Sequence, residues 1–155
     1  RFTNIYGPGQ TNFSALIPDC IKTVLGHGNF VPRSNGNNVR DFLYIKDVTS
    51  LYLLIAKNLF INPKKIKGQI FNAGSNKPQK IKDIIKIIFK HANEKNKLLK
   101  IFNKFKNKKA IGEIDYQYMD YQKAKKYFAW FPKYNFEKGI KETFDWYKKN
   151  IKKII

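Results

Sequence analysis

Arg1, Arg33 and Arg40 are the only arginines among the 31 basic residues of this 155-residue chain. A guanidinium presents a planar fork of donors that matches a carboxylate or phosphate with two parallel bonds, whereas a lysine acts as a point charge. Arg40 stands in the run Val39-Arg-Asp-Phe-Leu-Tyr-Ile-Lys-Asp47, between Val39 and Phe42, where an anionic ligand or the neighbouring Asp41 must answer its charge. Asn4, between Phe2 and Tyr6, and Asn72, after Ile70 and Phe71, are also single polar residues in apolar surroundings. A buried polar group left unpaired costs about 1–3 kcal/mol. Brought together, these side chains would form an anion-binding site; taken singly, Asn4 and Asn72 serve equally well as turn anchors.

Other chemistries find little support. His27 and His91 are far apart with no cysteine pair beside them, so no metal site is expected. Cys20 is the only cysteine and has no internal disulfide partner; its apolar neighbours predict a buried thiol, and such usage suits a cytoplasmic location. No glycine-rich G-x-G-x-x-G phosphate loop is present. No apolar run approaches the roughly 20 residues of a membrane span.

The elements that must position the arginines follow from periodicity and turn chemistry. Phe2 to Tyr6 reads as a strand halted by Gly7-Pro8-Gly9, a start that reads as the continuation of a longer chain. Ser14 is expected to cap a helix through Ile17, Ile21 and Val24, ended by Gly26 and Gly28. Phe30 to Arg33 reads as a short strand, Ser34 to Asn38 as a turn, and Val39 to Ile45 as extended. Asp47 is expected to cap a helix through Leu51, Leu54 and Ile55 that ends at Asn62-Pro63; Tyr44, Trp130 and Trp146 read as packing residues. Gly68 to Ala73 predicts a buried strand, and Ile81 to Phe89 a helix with Ile84, Ile85 and Ile88 inward. Leu98 to Phe102 reads as an edge strand, Tyr116 to Met119 as another, and Lys123 to Phe128 as a short helix. Asn135 should cap a last helix carrying Ile140, Phe144, Tyr147 and Ile151.

A net charge of +20 raises the question of nucleic acid. The positive charge is nearly all lysine, however, mixed with asparagine and isoleucine as in Asn103-Lys-Phe-Lys-Asn-Lys-Lys109, which is what compositional drift toward A/T-rich codons would produce. Nucleic acid is therefore not the expected partner.

In order and spacing, R-x-x-N-x-Y-G, Ile17-Pro18, R-S-x-G followed by R-D-F-x-Y-x-x-D, F-N-A-G-S, the stretch Gly112-Glu-Ile to Gln-Tyr-Met-Asp120, and W-F-P-x-Y followed by W-Y resemble one family along the whole chain. The likeness is to the C-terminal half of an extended short-chain dehydrogenase/reductase acting on nucleotide sugars, most similar to the CDP-glucose 4,6-dehydratase group. The subgroup rests on Arg33-Ser34 and the Gly112 to Asp120 segment. The resemblance implies an α/β fold: the C-terminal portion of a Rossmann-type enzyme, with its last sheet strands and a small mixed α/β substrate lobe. Residues 1–155 would be a single piece, with the NAD-binding part and the catalytic tyrosine and lysine outside this chain.

The resemblance also implies roles. Thr3 would approach the nicotinamide end of NAD; Asn4 the sugar diphosphate; Leu16 and Ile17 the nucleotide, although both also read as core. Arg33 would lie beside the base and Arg40 on the pyrophosphate, with Asn72 orienting Arg40 or touching phosphate. Where the wider family places an arginine before its Gly-Asp pair, Ala110 and Ile111 precede Gly112-Glu113, so Glu113 or Gln117 would meet the nucleotide instead. Tyr121 and Lys125 spell Tyr-x-x-x-Lys but follow the other motifs, so no catalytic residue is expected here. The intact protein would be a homo-oligomeric, NAD-dependent CDP-glucose 4,6-dehydratase, the alternatives being a 4-epimerase, a dehydratase using another nucleotide, or a basic nucleic-acid-binding module. Such a piece should expose apolar surface along its first strand and first helix.

Overall fold

The computed structural model describes residues 1–105 and 112–155. The chain runs through β1 (Asn4–Tyr6), α1 (Leu16–Val24), β2 (Val39–Arg40), β3 (Phe42–Tyr44), α2 (Ile45–Ile61), the short α3 (Pro63–Ile66), β4 (Gln79–Lys80), α4 (Ile81–His91), α5 (Lys95–Phe105), β5 (Tyr116–Gln117), α6 (Gln122–Phe128) and α7 (Phe136–Ile154). β2 and β3 belong to one extended run that changes sheet at Asp41. Before it, β2 is the middle strand between β4, antiparallel, and β5, parallel. After it, β3 lies parallel to β1, with Asn4 opposite Phe42 and Tyr6 opposite Tyr44.

Helical spacing accounts for the larger of two cores. Ile17, Cys20, Ile21 and Val24 of α1 form one buried face, Ile84, Ile85, Ile88 and Phe89 of α4 a second, and Ile140, Phe144, Tyr147 and Ile151 of α7 a third. Tyr6 and Tyr44 close this core from the strands. Gly139 of α7 is required there, since a Cβ would collide with the Tyr6 hydroxyl, which donates to the Phe136 carbonyl at 3.3 Å. The second core gathers Leu43, Val48, Leu51, Phe71, Phe128 and Trp130 between β3, α2 and α6. Trp130 donates from Nε1 to Ser50 Oγ at 2.9 Å, so its polar edge is satisfied inside.

Several local expectations are corrected. The N-cap of α1 is Ala15, without a side-chain bond, because the Ser14 N–H turns back to Asn12 Oδ1 at 3.0 Å. Asp47 lies inside α2 rather than before it. Its carboxylate accepts from the Lys133 and Tyr134 N–H groups, at 2.9 and 3.1 Å, and so tethers the approach to α7. Residues 30–38 alternate between buried and exposed, as an extended run does, yet Phe30 to Arg33 joins no ladder. Gly68 to Ala73 contributes one bridge, Ala73 to Phe2, sealed by the Ala73 N–H to the Arg1 carbonyl and the Thr3 N–H to the Ala73 carbonyl. Leu98 to Phe102 is helical: Leu98, Ile101, Phe102 and Phe105 fall at i, i+3, i+4 and i+7, and the intervening lysines and asparagines had hidden the period. Asn135 does cap α7, accepting from the Lys138 N–H at 2.8 Å.

Of the expected apolar exposure, the first strand shows Ile5, 37% exposed, but the first helix does not, and larger exposure lies elsewhere. α1 is buried, whereas α2 turns Val48 and Leu51 inward and shows Tyr52, Leu53, Leu59 and Phe60 outward, Phe60 being 91% exposed. One apolar face of this helix therefore packs inward while the other meets solvent. On the opposite side of β3, Glu142 Oε2 of α7 accepts from the Tyr44 hydroxyl and from Lys46 Nζ, each at 2.7 Å.

The Lys46 and Tyr44 hydrogen bonds hold the Glu142 carboxyl below its ordinary value of 4.5. Its folded-state pKa being depressed, the group contributes stability above the unfolded value and loses it as pH falls through the folded one. Urea unfolding of the wild type and of Glu142→Gln, compared from pH about 6 to about 3, should show the variant less stable at the upper end and the gap closing toward the lower. A gap independent of pH would remove this assignment.

Candidate functional site

The change of sheet at Asp41 sets the site. Asp41 is fully buried, and each of its polar groups is used. Its N–H donates to the Gln117 carbonyl of β5 at 3.1 Å, and its own carbonyl accepts from Thr3 Oγ1 at 2.8 Å and Asn4 Nδ2 at 3.0 Å. Its carboxylate accepts from the Ser75 N–H, at 2.9 Å to Oδ2, and from the Ser75 hydroxyl. Gly74 is held so close that a Cβ there would strike Asp41 Oδ2 and the Met119 carbonyl. Asp41 therefore does not neutralise Arg40.

Arg40 belongs to a cleft of about 460 Å³. Its Nη1 donates to the Val39 carbonyl at 2.9 Å, and its Nη2 lies 4.0 Å from Glu113 Oε2, beyond hydrogen-bond reach. The arginine side chain is 16% exposed and the glutamate 39%, so the pair is loose and solvated. With five N–H donors and one firm partner among the described residues, the guanidinium has donors to offer a ligand. The cleft floor is apolar, formed by Leu16, Phe42, Ile81 and Phe105, and its far wall joins the start of α1 to the loop carrying Pro32 and Arg33. Arg33 Nη2 reaches the Ser14 carbonyl at 3.4 Å, bracing that loop against the helix start.

The structure thus brings Asn4, Leu16, Arg33, Arg40 and Glu113 to one cleft. Thr3 lies beside it with its hydroxyl committed to Asp41, Ile17 is 1% exposed within the larger core, and Asn72 is exposed and outside the cleft wall. Ala110 and Ile111 fall outside the described residues. Sequence reasoning passed over Asp19, which also lines the cleft. The available signal was its i, i+3 spacing from Leu16, which places both on one side of α1. Burial raises the Asp19 carboxyl, while Lys22 and Arg33 pull it back. Among the described residues no group of three or more His, Cys, Asp or Glu is placed to hold a metal ion, and no helix is long and apolar enough to cross a membrane.

A cleft lined by apolar side chains together with two guanidinium groups and two carboxylates has the make-up of a site for a polar organic molecule. The mixed α/β arrangement around it is that of the C-terminal region of Rossmann-type extended short-chain dehydrogenases. The enzyme WbmF of Bordetella bronchiseptica, solved with NADH, superposes with a TM-score of 0.80 at 21% identity, over 99% of this chain and 46% of that one. The dTDP-glucose 4,6-dehydratase of Bacillus anthracis, solved with NAD, gives a TM-score of 0.71 at 27% identity, over 98% of this chain and 44% of that one. The profile of GDP-mannose 4,6 dehydratase matches residues 1–143, and the chain belongs to that family. Among its relatives is the Arabidopsis thaliana trifunctional UDP-glucose 4,6-dehydratase/UDP-4-keto-6-deoxy-D-glucose 3,5-epimerase/UDP-4-keto-L-rhamnose-reductase, 32% identical over 97% of this chain and 21% of that protein. The dTDP-D-glucose 4,6-dehydratase of Homo sapiens is 27% identical over 97% of this chain and 41% of that protein. The chain spans less than half the length of these relatives.

The tight seat of Gly74 gives a direct test of the Asp41 junction. Gly74→Ala should destabilise the protein by roughly 1–3 kcal/mol, the range for overpacking a filled site, in urea denaturation. Asn72→Ala, two residues away and exposed, should change stability by less than about 0.5 kcal/mol. Equal effects would show that the junction is not closely packed.

Proposed function

We propose that the cleft binds a nucleotide sugar and that the chain forms the substrate side of an NAD-dependent nucleotide-sugar 4,6-dehydratase, with CDP-glucose as substrate and the 4-keto-6-deoxy sugar nucleotide as product. The observation that carries this reading is Arg40, a mostly buried guanidinium lining the cleft whose partners among the described residues are the Val39 carbonyl and, loosely, Glu113. A diphosphate satisfies it with two parallel charge-assisted bonds and releases Glu113 toward solvent or the nucleotide. Asn4 stands at the same end of the reading, for the sugar diphosphate, its amide nitrogen held by the Asp41 carbonyl and its amide oxygen free to accept a sugar hydroxyl. Leu16 and Arg33 take the nucleoside, Ile17 anchors the helix start beneath it, and Asn72 reaches phosphate only from outside the cleft wall. Arg33-Ser34 and the Gly112 to Asp120 segment support cytidine among the nucleotides.

The residues present fit NAD only at its edge. Thr3 has no hydroxyl hydrogen to spare, and the sequence has no G-x-G-x-x-G turn to cradle the dinucleotide's pyrophosphate, so the cofactor would be held mainly by chain outside this one. When bound, NAD supplies hydride acceptance from the sugar C4 and hydride return to C6. The contribution of this chain is to hold the diphosphate and nucleoside so that the sugar is oriented for those transfers and for loss of water across C5 and C6. The tyrosine, lysine and acid/base carboxylates of that chemistry are assigned to the same outside portion, and cytoplasmic location and homo-oligomeric assembly complete the reading.

Two measurements on the full-length protein test it. Arg40→Ala should lower kcat/KM for the nucleotide sugar by about 1.5–3 kcal/mol, the range for a hydrogen bond to a charged group, with NAD affinity and melting temperature nearly unchanged. Arg40→Lys should recover only part of the loss, because a point charge cannot make two parallel bonds. A variant with normal kcat/KM per folded molecule would remove Arg40 from the site. Turnover of CDP-, dTDP-, UDP- and GDP-glucose, with product analysis, then decides nucleotide and reaction: preference for another nucleotide displaces cytidine, and a C4 epimer without loss of water displaces the dehydratase.

A further inference from the structure

Asp19, in the first turn of α1, places a carboxylate in the cleft. It is half-buried and lines the cleft together with Leu16 and Arg33, and its carboxylate makes no hydrogen bond or salt bridge among the described residues. Its place in the first turn suits the helix dipole, but α1 is held chiefly by the buried Ile17, Cys20, Ile21 and Val24. An ionised carboxylate is an acceptor only, whereas the Arg33 guanidinium is a donor only. Lys22 and Arg33 both act to keep the Asp19 carboxyl ionised against the effect of its burial.

Resting on the reading of the cleft as a nucleotide-sugar site, we propose that Asp19 selects the nucleobase, accepting a hydrogen bond from an exocyclic amino group and so favouring cytosine or guanine over uracil or thymine. The edge of cytosine carries an amino donor beside ring-nitrogen and carbonyl acceptors, which complements Asp19 beside Arg33. Guanine offers the same pairing, with its amino and ring N–H donors to the carboxylate and its carbonyl to the guanidinium. Uracil and thymine put a carbonyl oxygen where the amino group would be and keep only a ring N–H beside it, so a base held in the same pose sets an acceptor against the carboxylate. Such a mismatch leaves a partly buried charge unpaired, the kind of discrimination that binding sites achieve most effectively.

CDP and UDP differ at the base only in this edge and are the natural probes. Calorimetric titration of the full-length protein should show CDP and GDP binding about tenfold or more tightly than UDP and dTDP, which corresponds to the loss of one hydrogen bond to a charged group. In Asp19→Asn, whose amide can flip to accept or donate, the CDP to UDP ratio should fall to within about threefold. Asp19→Ala should flatten it likewise. A ratio of two affinities on one sample is independent of the folded fraction, so a variant of reduced stability still reports its base preference. UDP binding as tightly as CDP to the wild type, or a preference for CDP surviving in both variants, overturns the role of Asp19 while leaving the cleft assignment intact. Failure of all four diphosphates to bind the wild type overturns both.

Discussion

A single buried carboxylate holds the two halves of this fold in register. Asp41 sits where an extended run leaves one sheet and enters another, a place where the backbone would otherwise lose ladder partners on both sides. Its N–H is taken by β5, its carbonyl by Thr3 and Asn4, and its carboxylate by Ser75. A buried carboxylate is tolerated only when its lone pairs are met, here by Ser75, while the backbone of the same residue is bonded by two further parts of the chain. The cost of leaving any of them unmet makes the junction specific.

The position of Arg40 follows from that constraint. Because Asp41 is fully engaged elsewhere, the guanidinium one residue earlier is not paired with it, and among the described residues Glu113 is the carboxylate that lies within 4.0 Å of it. Asn4 is fixed from the same source, its amide nitrogen bound to the carbonyl of Asp41. The cleft residues that come from β1 and β2 are thus set by one residue that does not line the cleft at all. The remaining wall, from α1 and the loop through Arg33, is positioned independently by the larger core and by the Arg33 to Ser14 contact.

Much of this was legible in the sequence because apolar spacing reports burial directly. α1, α4, α6 and α7 fall where their periodicity places them, and Asn135 caps as its type suggests. What was not legible depended on partners distant in sequence. Asp41 beside Arg40 invites an ion pair, and nothing local announces that Ser75 will take the carboxylate first. Asp47 has the composition of a cap, but its acceptors are spent on backbone more than eighty residues away. Phe30 to Arg33 has the alternation of a strand without a neighbouring edge to join. α5 was obscured for another reason: its apolar stripe is narrow, and the lysines around it lower the mean hydropathy without changing the period.

The abundance of lysine acquires a meaning once α2 is considered. Lys22 lies over Phe13, Lys123 over Phe71 and Tyr127, and Lys46 and Lys138 over Tyr134, so part of the positive coat is laid across aromatic surface with its methylene stems. Every copy of the molecule carries the same excess of positive charge, and on every copy Tyr52, Leu53 and Phe60 of α2 face outward. Colloidal repulsion between copies then opposes the contact that the apolar face would favour, and it does so over a Debye length of roughly 10 Å at 0.1 M salt. Raising the ionic strength shortens that range without weakening the apolar attraction. Salt therefore sets how far the positive coat of one copy is felt by the next.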